Sequence, residues 1–239
     1  MSRPKLSVII PCFNEEATIL DVIRRVQAVA LKDVDREIIV VDDGSTDRTR
    51  EALRAADGVR LVLQERNGGK GAAVRAGFAA AGGDVLLIQD ADLEYDPADH
   101  PAVIAPILEE RADFVMGSRF LYERPTFFRG EHRSPLFTHY LGNILIIRLT
   151  NLLYGQSATD YEGAYKAFSR EALRRAGPIQ AAGFEFDNEL VCKLLRRGLR
   201  MAEVPIRYHP RSYEQGKKIR WHHGARMLWT IAQWRWRRF

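Results

Sequence analysis

The sequence contains little cysteine, and this scarcity excludes two classes of protein. Cys12 and Cys192 are the only two cysteines among 239 residues. Two are too few for a disulfide scaffold or for a cysteine-based zinc site. We therefore expect a reducing, cytosolic setting.

The chain also lacks long apolar runs. Residues 1–5 lead directly into a short strand pattern, without the longer apolar region of a secretory signal. The longest membrane-like segment, residues 141–154, is interrupted by Asn143, Arg148 and Asn151. It falls short of the roughly 18–20 apolar residues of a spanning helix. We expect neither export nor a membrane crossing by this chain itself.

Positive charge is concentrated in residues 207–239, which hold nine lysines and arginines against one acid, Glu214, while the whole sequence carries +5. The same segment holds all four tryptophans, Trp221, Trp229, Trp234 and Trp236. Such a mixture is typical of a helix in the headgroup layer of an anionic bilayer, and packing against the core is the alternative. Stacked rings and cations also suit single-stranded nucleic acid, but the acidic remainder of the chain argues against it.

Strand and helix patterns alternate along the first half of the chain. Apolar runs lie at residues 6–10, 37–41, 59–63, 85–88 and 114–116, separated by helix patterns at about 15–25, 47–56, 70–81 and 99–110. Further helices are predicted at about 136–153, 184–197 and 221–239, and further strands at 164–168 and 202–208. Continuous rather than alternating hydrophobicity indicates strands buried on both faces. The pattern predicts an α/β fold with a mostly parallel, Rossmann-like sheet flanked by helices.

Ligands of such sheets bind beyond the carboxyl ends of the strands. Asp90 and Asp92 follow the fourth strand pattern. Two carboxylates two residues apart on a turning backbone can both reach a hard cation that bridges a diphosphate. The sequence therefore predicts an Mg²⁺ or Mn²⁺ site at Asp90 and Asp92.

Two adjacent acids, Asp42 and Asp43, follow the second strand pattern. Ser45 or Thr46 can cap the next helix, and Asp47 suits its first turn. Capping does not explain two neighbouring carboxylates, which repel each other unless a ligand uses them. We therefore favour contacts from Asp42 and Asp43 to a nucleotide base or ribose.

Two glycine-containing segments are candidates for phosphate contacts. Residues 67–71, Asn-Gly-Gly-Lys-Gly, lack the spacing of a Walker loop. The sequence is equally consistent with a flexible turn at these residues and with a nucleotide contact through Lys70. Residues 211–218 carry Arg211 and Lys217 around Gly216, a composition that suits a loop folding over a pyrophosphate or one that is merely solvated.

Short motifs occur in order on the predicted strand ends: P-C-F-N-E at 11–15, D-D-G-S-T-D at 42–47, D-A-D-L at 90–93, G-S-R at 117–119, and segments 160–168 and 211–219. Together they resemble the inverting GT-A glycosyltransferases of family 2, most closely the polyprenyl-phosphate sugar synthases related to dolichyl-phosphate mannose synthase. The resemblance implies a GT-A catalytic domain over residues 1–210. Residues 211–239 would then form a basic phosphate-binding loop and an amphipathic, aromatic-basic helix that associates peripherally with a membrane.

The resemblance, joined to the strand-end argument, implies roles for individual residues. The nucleotide sugar would contact Pro11, Phe13, Glu15, Asp42, Asp43, Lys70, Gln89 and Asp90. The acceptor phosphate would contact Arg119, Arg133, Arg211 and Lys217. The catalytic residues would be Asp90, Asp92, Arg119 and Arg211, with Mg²⁺ or Mn²⁺ held by Asp90 and Asp92.

The expected activity is transfer of a hexose from GDP-mannose or UDP-glucose to a dolichyl or undecaprenyl phosphate on the cytoplasmic face of a membrane. An ionised acceptor phosphate needs orientation and charge neutralisation more than a general base. A sugar or glycolipid hydroxyl would instead need a carboxylate base, for which Asp187 and Glu189 are candidates. A nucleotide-sugar-binding protein without turnover is the non-enzymatic alternative. The expected partners are the donor, the lipid acceptor, an anionic membrane surface and an integral-membrane subunit, but no nucleic acid.

Overall fold

The computed structural model describes residues 3–122, 137–209 and 221–239, which form a seven-stranded sheet covered by helices. The strands are β1 Lys5–Cys12, β2 Asp35–Asp42, β3 Arg60–Leu63, β4 Val85–Ile88, β5 Phe114–Ser118, β6 Lys166–Ser169 and β7 Met201–Pro205. The helices are α1 Ile19–Ala28, α2 Thr49–Arg54, α3 Lys70–Ala80, α4 His100–Leu108, α5 Phe137–Tyr154, α6 Arg170–Ala176, α7 Phe186–Arg196 and α8 Trp221–Trp236.

The strand order across the sheet is β3-β2-β1-β4-β6-β5-β7. Neighbours pair in parallel except β6, which runs antiparallel to both β4 and β5. Six of the seven strands therefore share one direction, which confirms the predicted mostly parallel sheet. Because Cys12 pairs with Asp42 at the ends of β1 and β2, the loops after these strands begin at the same level.

The sheet is buried on both faces, as the continuous apolar runs predict. In β1, Val8 and Ile10 pack into the cluster formed with α1 and α4, whereas Ile9 packs into the cluster under α3. All three side chains are fully buried. Burying a side chain of this size stabilises the fold by about 1.5–3 kcal/mol, so this strand anchors the loop that follows it.

A second core lies beneath α5, α7 and α8. Phe186 and Leu190 of α7 pack there with Ile231 and Trp234 of α8. Trp234 is only 1% exposed, and the Lys193 ammonium lies 4.2 Å from the centroid of its ring. This face of α8 therefore packs against the core, which was the alternative to a helix lying in the headgroup layer.

The loop before α2 differs from the predicted cap. The helix begins at Thr49, and its N–H bonds to the Asp47 carboxylate at 2.9 Å. Neither Ser45 nor Thr46 caps it, since the Ser45 hydroxyl accepts a hydrogen bond from the Asn14 N–H at 3.0 Å. Helix α6 lies outside the predicted elements. It follows β6 directly, with the Ser169 hydroxyl accepting from the Ala172 N–H as its cap.

Candidate functional site

The loops after β1 and β2 are joined by hydrogen bonds. Asn14, with φ +52°, accepts from the Thr46 N–H through its side-chain oxygen at 2.8 Å. The Glu15 N–H donates to the Thr49 hydroxyl at 2.9 Å. Asparagine tolerates the left-handed conformation better than most residues. The loop with the predicted nucleotide-binding residues Pro11, Phe13 and Glu15 is thereby held against the start of α2.

The same loop is tied to the loop after β4. The Thr18 hydroxyl lies 3.0 Å from the Glu15 carboxylate and 2.8 Å from the Ala91 carbonyl oxygen. Ala91 separates Asp90 from Asp92. The fold therefore brings the first and third predicted motifs into contact.

Asp42 and Asp43, which are buried at the end of β2, both have protein partners. Asp42 pairs with the Arg50 guanidinium at 2.6 Å. Asp43 accepts the backbone N–H groups of Gly68 and Gly69, each at 2.8 Å. Burial raises the pKa of Asp43, while these two donors act in the opposite direction. The argument that only a ligand offsets the repulsion is therefore wrong, and the nucleotide contacts stay a prediction.

Lys70 stands at the start of α3 and points to the loop after β4. Its ammonium lies 2.7 Å from the Asp90 carboxylate. Burial alone lowers the pKa of Lys70, but Asp90, Asp187 and Asp92 outweigh it and raise this pKa well above its ordinary value. Lys70 is therefore a charged, paired group, and its contact with a nucleotide stays a prediction.

Asp90 and Asp92 lie just beyond β4. The Asp90 side chain is 18% exposed, and the Asp92 carboxylate accepts from the Glu94 N–H at 3.2 Å. In the described parts of the chain, no group of three or more His, Cys, Asp or Glu residues could hold a metal ion. Mg²⁺ is usually bound by one or two carboxylates and completes its shell with water and substrate phosphates. The two carboxylates therefore fit a divalent cation that binds together with a diphosphate.

Gln89 is fully buried. Its amide oxygen accepts from His100 Nε2 and from the Tyr165 hydroxyl, both at 2.8 Å, and its amide nitrogen donates to the Asp90 carbonyl at 2.9 Å. Because the amide is engaged inside the protein, the predicted direct contact with the nucleotide is corrected. Gln89 instead supports the backbone that carries Asp90.

Arg119 follows β5 and forms a two-pronged ion pair with Asp160. The Nε–Oδ2 and Nη2–Oδ1 distances are 2.7 and 3.0 Å. The Arg119 side chain is 10% exposed, and its guanidinium lies 5.2 Å from the centroid of the Tyr208 ring. Burial opposes ionisation of Asp160, but Arg119 holds its pKa below the ordinary value. The predicted contact of Arg119 with an acceptor phosphate stays a prediction.

Asp187, in the first turn of α7, extends the charged cluster beyond Lys70. Its carboxylate lies 3.4 Å from the Lys166 ammonium. Burial raises the pKa of Asp187, while Lys166 and Lys70 oppose the increase. Asp90, Lys70, Asp187 and Lys166 thus form a line of alternating charges across the ends of β4 and β6.

Lys166 and Glu162 are two charged residues at this cluster that were not predicted from the sequence. The Glu162 carboxylate accepts from the Asn188 side-chain amide at 2.9 Å, and burial raises its pKa. Lys166 is 1% exposed and donates to the Gly163 carbonyl at 2.6 Å. In the sequence, Lys166 stands inside an otherwise apolar strand pattern. Because lysine is almost never fully buried without a partner, this position indicates a buried, paired lysine.

Glu189 is excluded as a general base. Its carboxylate accepts the backbone N–H groups of Gln180 and Ala181 at 2.8 and 2.7 Å and pairs with Lys193 at 2.6 Å. Because both oxygens are engaged and the side chain is 1% exposed, the sequence-based candidate Glu189 is wrong. Arg133, Arg211 and Lys217 lie outside the described residues.

The mostly parallel sheet, with acidic loops at the carboxyl ends of β2 and β4, is a GT-A-like α/β fold. Residues 7–177 match the family described as "Glycosyl transferase family 2", and the chain belongs to this family. The family membership and the fold predicted from the sequence are thus both confirmed.

Several curated proteins are similar to this chain. A low-salt glycan biosynthesis hexosyltransferase, Agl6, of Haloferax volcanii is 34% identical over 88% of this chain, and the chain spans about half of that protein, 49%. A UDP-N-acetylglucosamine–dolichyl-phosphate N-acetylglucosaminyltransferase of Methanococcus voltae is 30% identical, over 87% of this chain and 86% of its own length. A dodecaprenyl-phosphate galacturonate synthase of Rhizobium johnstonii is 29% identical, over 89% and 61%.

Solved structures of glucosyl-3-phosphoglycerate synthase from Mycobacterium tuberculosis share the fold. One has a TM-score of 0.73 and 26% identity, covering 97% of this chain and 80% of that one. Another, at TM-score 0.68, 26% identity and the same coverages, contains Mn²⁺, uridine diphosphate and glucosyl-3-phosphoglycerate.

Proposed function

We propose that this chain transfers a hexose from a nucleotide diphosphate sugar to a polyprenyl phosphate at the cytoplasmic face of a membrane. The observation that carries the proposal is the cluster beyond β4, where the Lys70 ammonium pairs with Asp90 and Asp92 also helps to raise its pKa. The cluster supplies carboxylates for a divalent cation and a cation for a diphosphate. Two of the similar proteins are named for polyprenyl-phosphate acceptors, which supports the acceptor class.

The side chains at the strand ends have separable tasks. Asp90 and Asp92 would hold Mg²⁺ or Mn²⁺, which stabilises the charge on a departing nucleoside diphosphate. Lys70 lies beside Asp90, so it would supply positive charge to the diphosphate when the cation takes that carboxylate. The side-chain amide of Gln89 holds the backbone of Asp90 in place by donating to its carbonyl oxygen. Because an acceptor phosphate is already ionised, attack on the anomeric carbon needs its orientation rather than its deprotonation.

The cation assignment is tested with Asp92→Asn and a matched control, Asp96→Asn. Asp96 lies four residues further along and caps the next turn, accepting from the Ala98 N–H at 3.0 Å, a task that asparagine also performs. With a labelled nucleotide sugar and a detergent-solubilised polyprenyl phosphate, Asp92→Asn should abolish Mn²⁺-dependent transfer and Asp96→Asn should retain it. Wild-type transfer by Asp92→Asn would refute the assignment.

A second function, transfer to a sugar or glycolipid hydroxyl, is favoured by one observation. Asp187 lies in the first turn of α7, 3.4 Å from the Lys166 ammonium, and burial raises its pKa. A general base works best when its pKa approaches the operating pH. Asp187→Asn separates the two functions. If the acceptor is a phosphate, the variant should keep most of its transfer activity. A loss of about 100-fold or more, the usual contribution of a general base, would favour a hydroxyl acceptor.

The non-catalytic alternative predicts nucleotide binding without turnover. Thermal shifts with GDP, UDP and Mn²⁺ identify the nucleotide, because a ligand that binds only the folded state raises its apparent stability. Release of nucleoside diphosphate from the matching donor then distinguishes a transferase from a binding protein. A nucleotide-dependent thermal shift without any release would favour binding alone.

A further inference from the structure

Helix α5 exposes an apolar stripe. Leu141, Leu145 and Leu152 are 44%, 44% and 80% exposed. Spacings of four and seven residues place them on one face of the helix, opposite the buried Ile146. The same face carries one charged residue, Arg148, which is also exposed. Clustered large apolar side chains in water mark an interaction surface.

Helix α8 exposes a second apolar stripe, opposite the face that packs on the core. Trp229 and Trp236 are 66% and 69% exposed, and a separation of seven residues aligns them on one side. Ile231 and Trp234 point the other way into the core. Among the tryptophans of this helix whose side chains the structure describes, Trp234 therefore packs on the core, whereas Trp229 and Trp236 face water.

The two helices that carry the stripes are neighbours. Both helices cover the same core cluster, and they touch each other. The Tyr154 hydroxyl donates to the Ile231 carbonyl at 2.8 Å, and Arg235 Nε donates to the Leu153 carbonyl at 2.8 Å. Because each stripe lies opposite the side of its helix that packs on this core, both stripes face away from the same cluster.

The charges on the two helices that carry the stripes are of one sign. Residues 137–154 and 221–239 contain no aspartate or glutamate. They contain five arginines, Arg148, Arg226, Arg235, Arg237 and Arg238. Apolar side chains on helices that carry only basic charges complement a bilayer with anionic headgroups, since each cation near such a surface adds on the order of 1 kcal/mol.

One basic residue of α8 pairs with a residue next to the start of α7. Arg226, near the start of α8, lies 3.8 Å from the carboxylate of Glu185, which precedes α7 and stands two residues before Asp187. Among the described residues, no helix has both the length and the apolarity to span a membrane. We propose that the exposed faces of α5 and α8 together form a docking surface for an anionic bilayer. The proposal rests on the proposed function and deepens it, because a polyprenyl-phosphate acceptor would be held in such a bilayer.

The test measures flotation with vesicles of neutral phosphatidylcholine, with or without anionic phosphatidylglycerol, and without any polyprenyl phosphate. The full chain should float with anionic vesicles and lose binding as salt screens the charges. Two double variants remove apolar side chains from the surface: Leu145→Gln with Leu152→Gln, and Trp229→Ser with Trp236→Ser. Each should lower the partition coefficient by about tenfold or more, because these large apolar side chains are no longer there to be transferred from water into the bilayer. Unchanged thermal melting establishes that these exposed sites leave the fold intact.

The matched control is Leu63→Gln. Leu63 is 51% exposed, but it lies at the end of β3, the edge strand on the other side of the sheet from β7. Its substitution should therefore leave flotation unchanged. Equal binding to neutral and anionic vesicles, wild-type binding by both pairs, or an equal loss with Leu63→Gln would overturn the proposal. The proposal would also be overturned if the paired variants only converted a dimer to a monomer. The surface would then bind a second copy of the chain. Transfer to a short, water-soluble polyprenyl phosphate tests the proposed function separately, since that acceptor needs no vesicle.

Discussion

Replacing Gln89 with methionine tests how the loop that carries Asp90 is supported. Methionine keeps the unbranched shape of glutamine but removes the oxygen that accepts from His100 Nε2 and from the Tyr165 hydroxyl. Both donors then stay buried without an acceptor. A change of the His100 tautomer would not avoid this cost, because the other ring nitrogen, Nδ1, is also buried without a hydrogen-bond partner.

The magnitude follows from these two donors. A buried polar group left unsatisfied costs about 1–3 kcal/mol, so Gln89→Met should lower the free energy of unfolding by about 2–6 kcal/mol. For a chain of this size each kcal/mol moves the melting temperature by about 2–4 °C. Urea denaturation of the wild type and the variant at neutral pH gives the free-energy difference directly.

A double-mutant cycle with Tyr165→Phe shows whether the cost comes from the stranded donors. In the wild-type background, Tyr165→Phe should cost about 0.5–1.5 kcal/mol, the usual worth of one hydrogen bond. In the Gln89→Met background it should be neutral or stabilising, because it removes a stranded hydroxyl. Additive losses would refute the reasoning, as would a Gln89→Met variant that unfolds at the wild-type urea concentration.

Three further predictions concern stability. Burial lowers the pKa of His100 to about 3, so relative to His100→Gln the wild type should lose about 1.4 kcal/mol per pH unit below about pH 6.5 in urea titrations. Trp234→Ala should cost about 3–5 kcal/mol, whereas the exposed Trp229→Ala should stay within about 0.5 kcal/mol; equal costs would contradict the orientation of α8. Asp160→Asn should cost about 3–5 kcal/mol in the same assay, since it strands the buried Arg119 charge; a neutral result would mean that Arg119 has another partner.

Much of the fold was predictable because the strands are marked locally. The predicted fourth strand, residues 85–88, coincides with β4, and the other early strands differ from their predictions by one or two residues at an end. Continuous apolar runs need both faces of a sheet to bury them, so their order alone indicates a parallel α/β architecture. Helix α6 was missed because Arg170–Ala176 is a short, charged segment with little apolar periodicity.

The partners of the site residues were not predictable, because they come from distant parts of the chain. Asp43 is held by Gly68 and Gly69, and Gln89 by Tyr165, 76 positions away. Local sequence shows that a carboxylate or amide follows a strand, but not which donors a crossover brings to it. The orientation of the C-terminal helix was readable in principle, since Met227, Ile231 and Trp234 recur at helical spacing and are all buried.

The ion pair between Lys70 and Asp90 has a consequence for ligand binding. In the structure the Lys70 ammonium lies 2.7 Å from a carboxylate that a divalent cation would also use, so a cation alone must displace it. A diphosphate offers the ammonium another partner, and binding of one ligand should then favour the other by the same factor. Calorimetry should show Mn²⁺ binding about 5–150-fold more tightly with the matching nucleoside diphosphate than without it. In Lys70→Met the affinity for Mn²⁺ alone should rise while this coupling shrinks, and a variant with unchanged affinity and coupling would show that the ammonium does not compete.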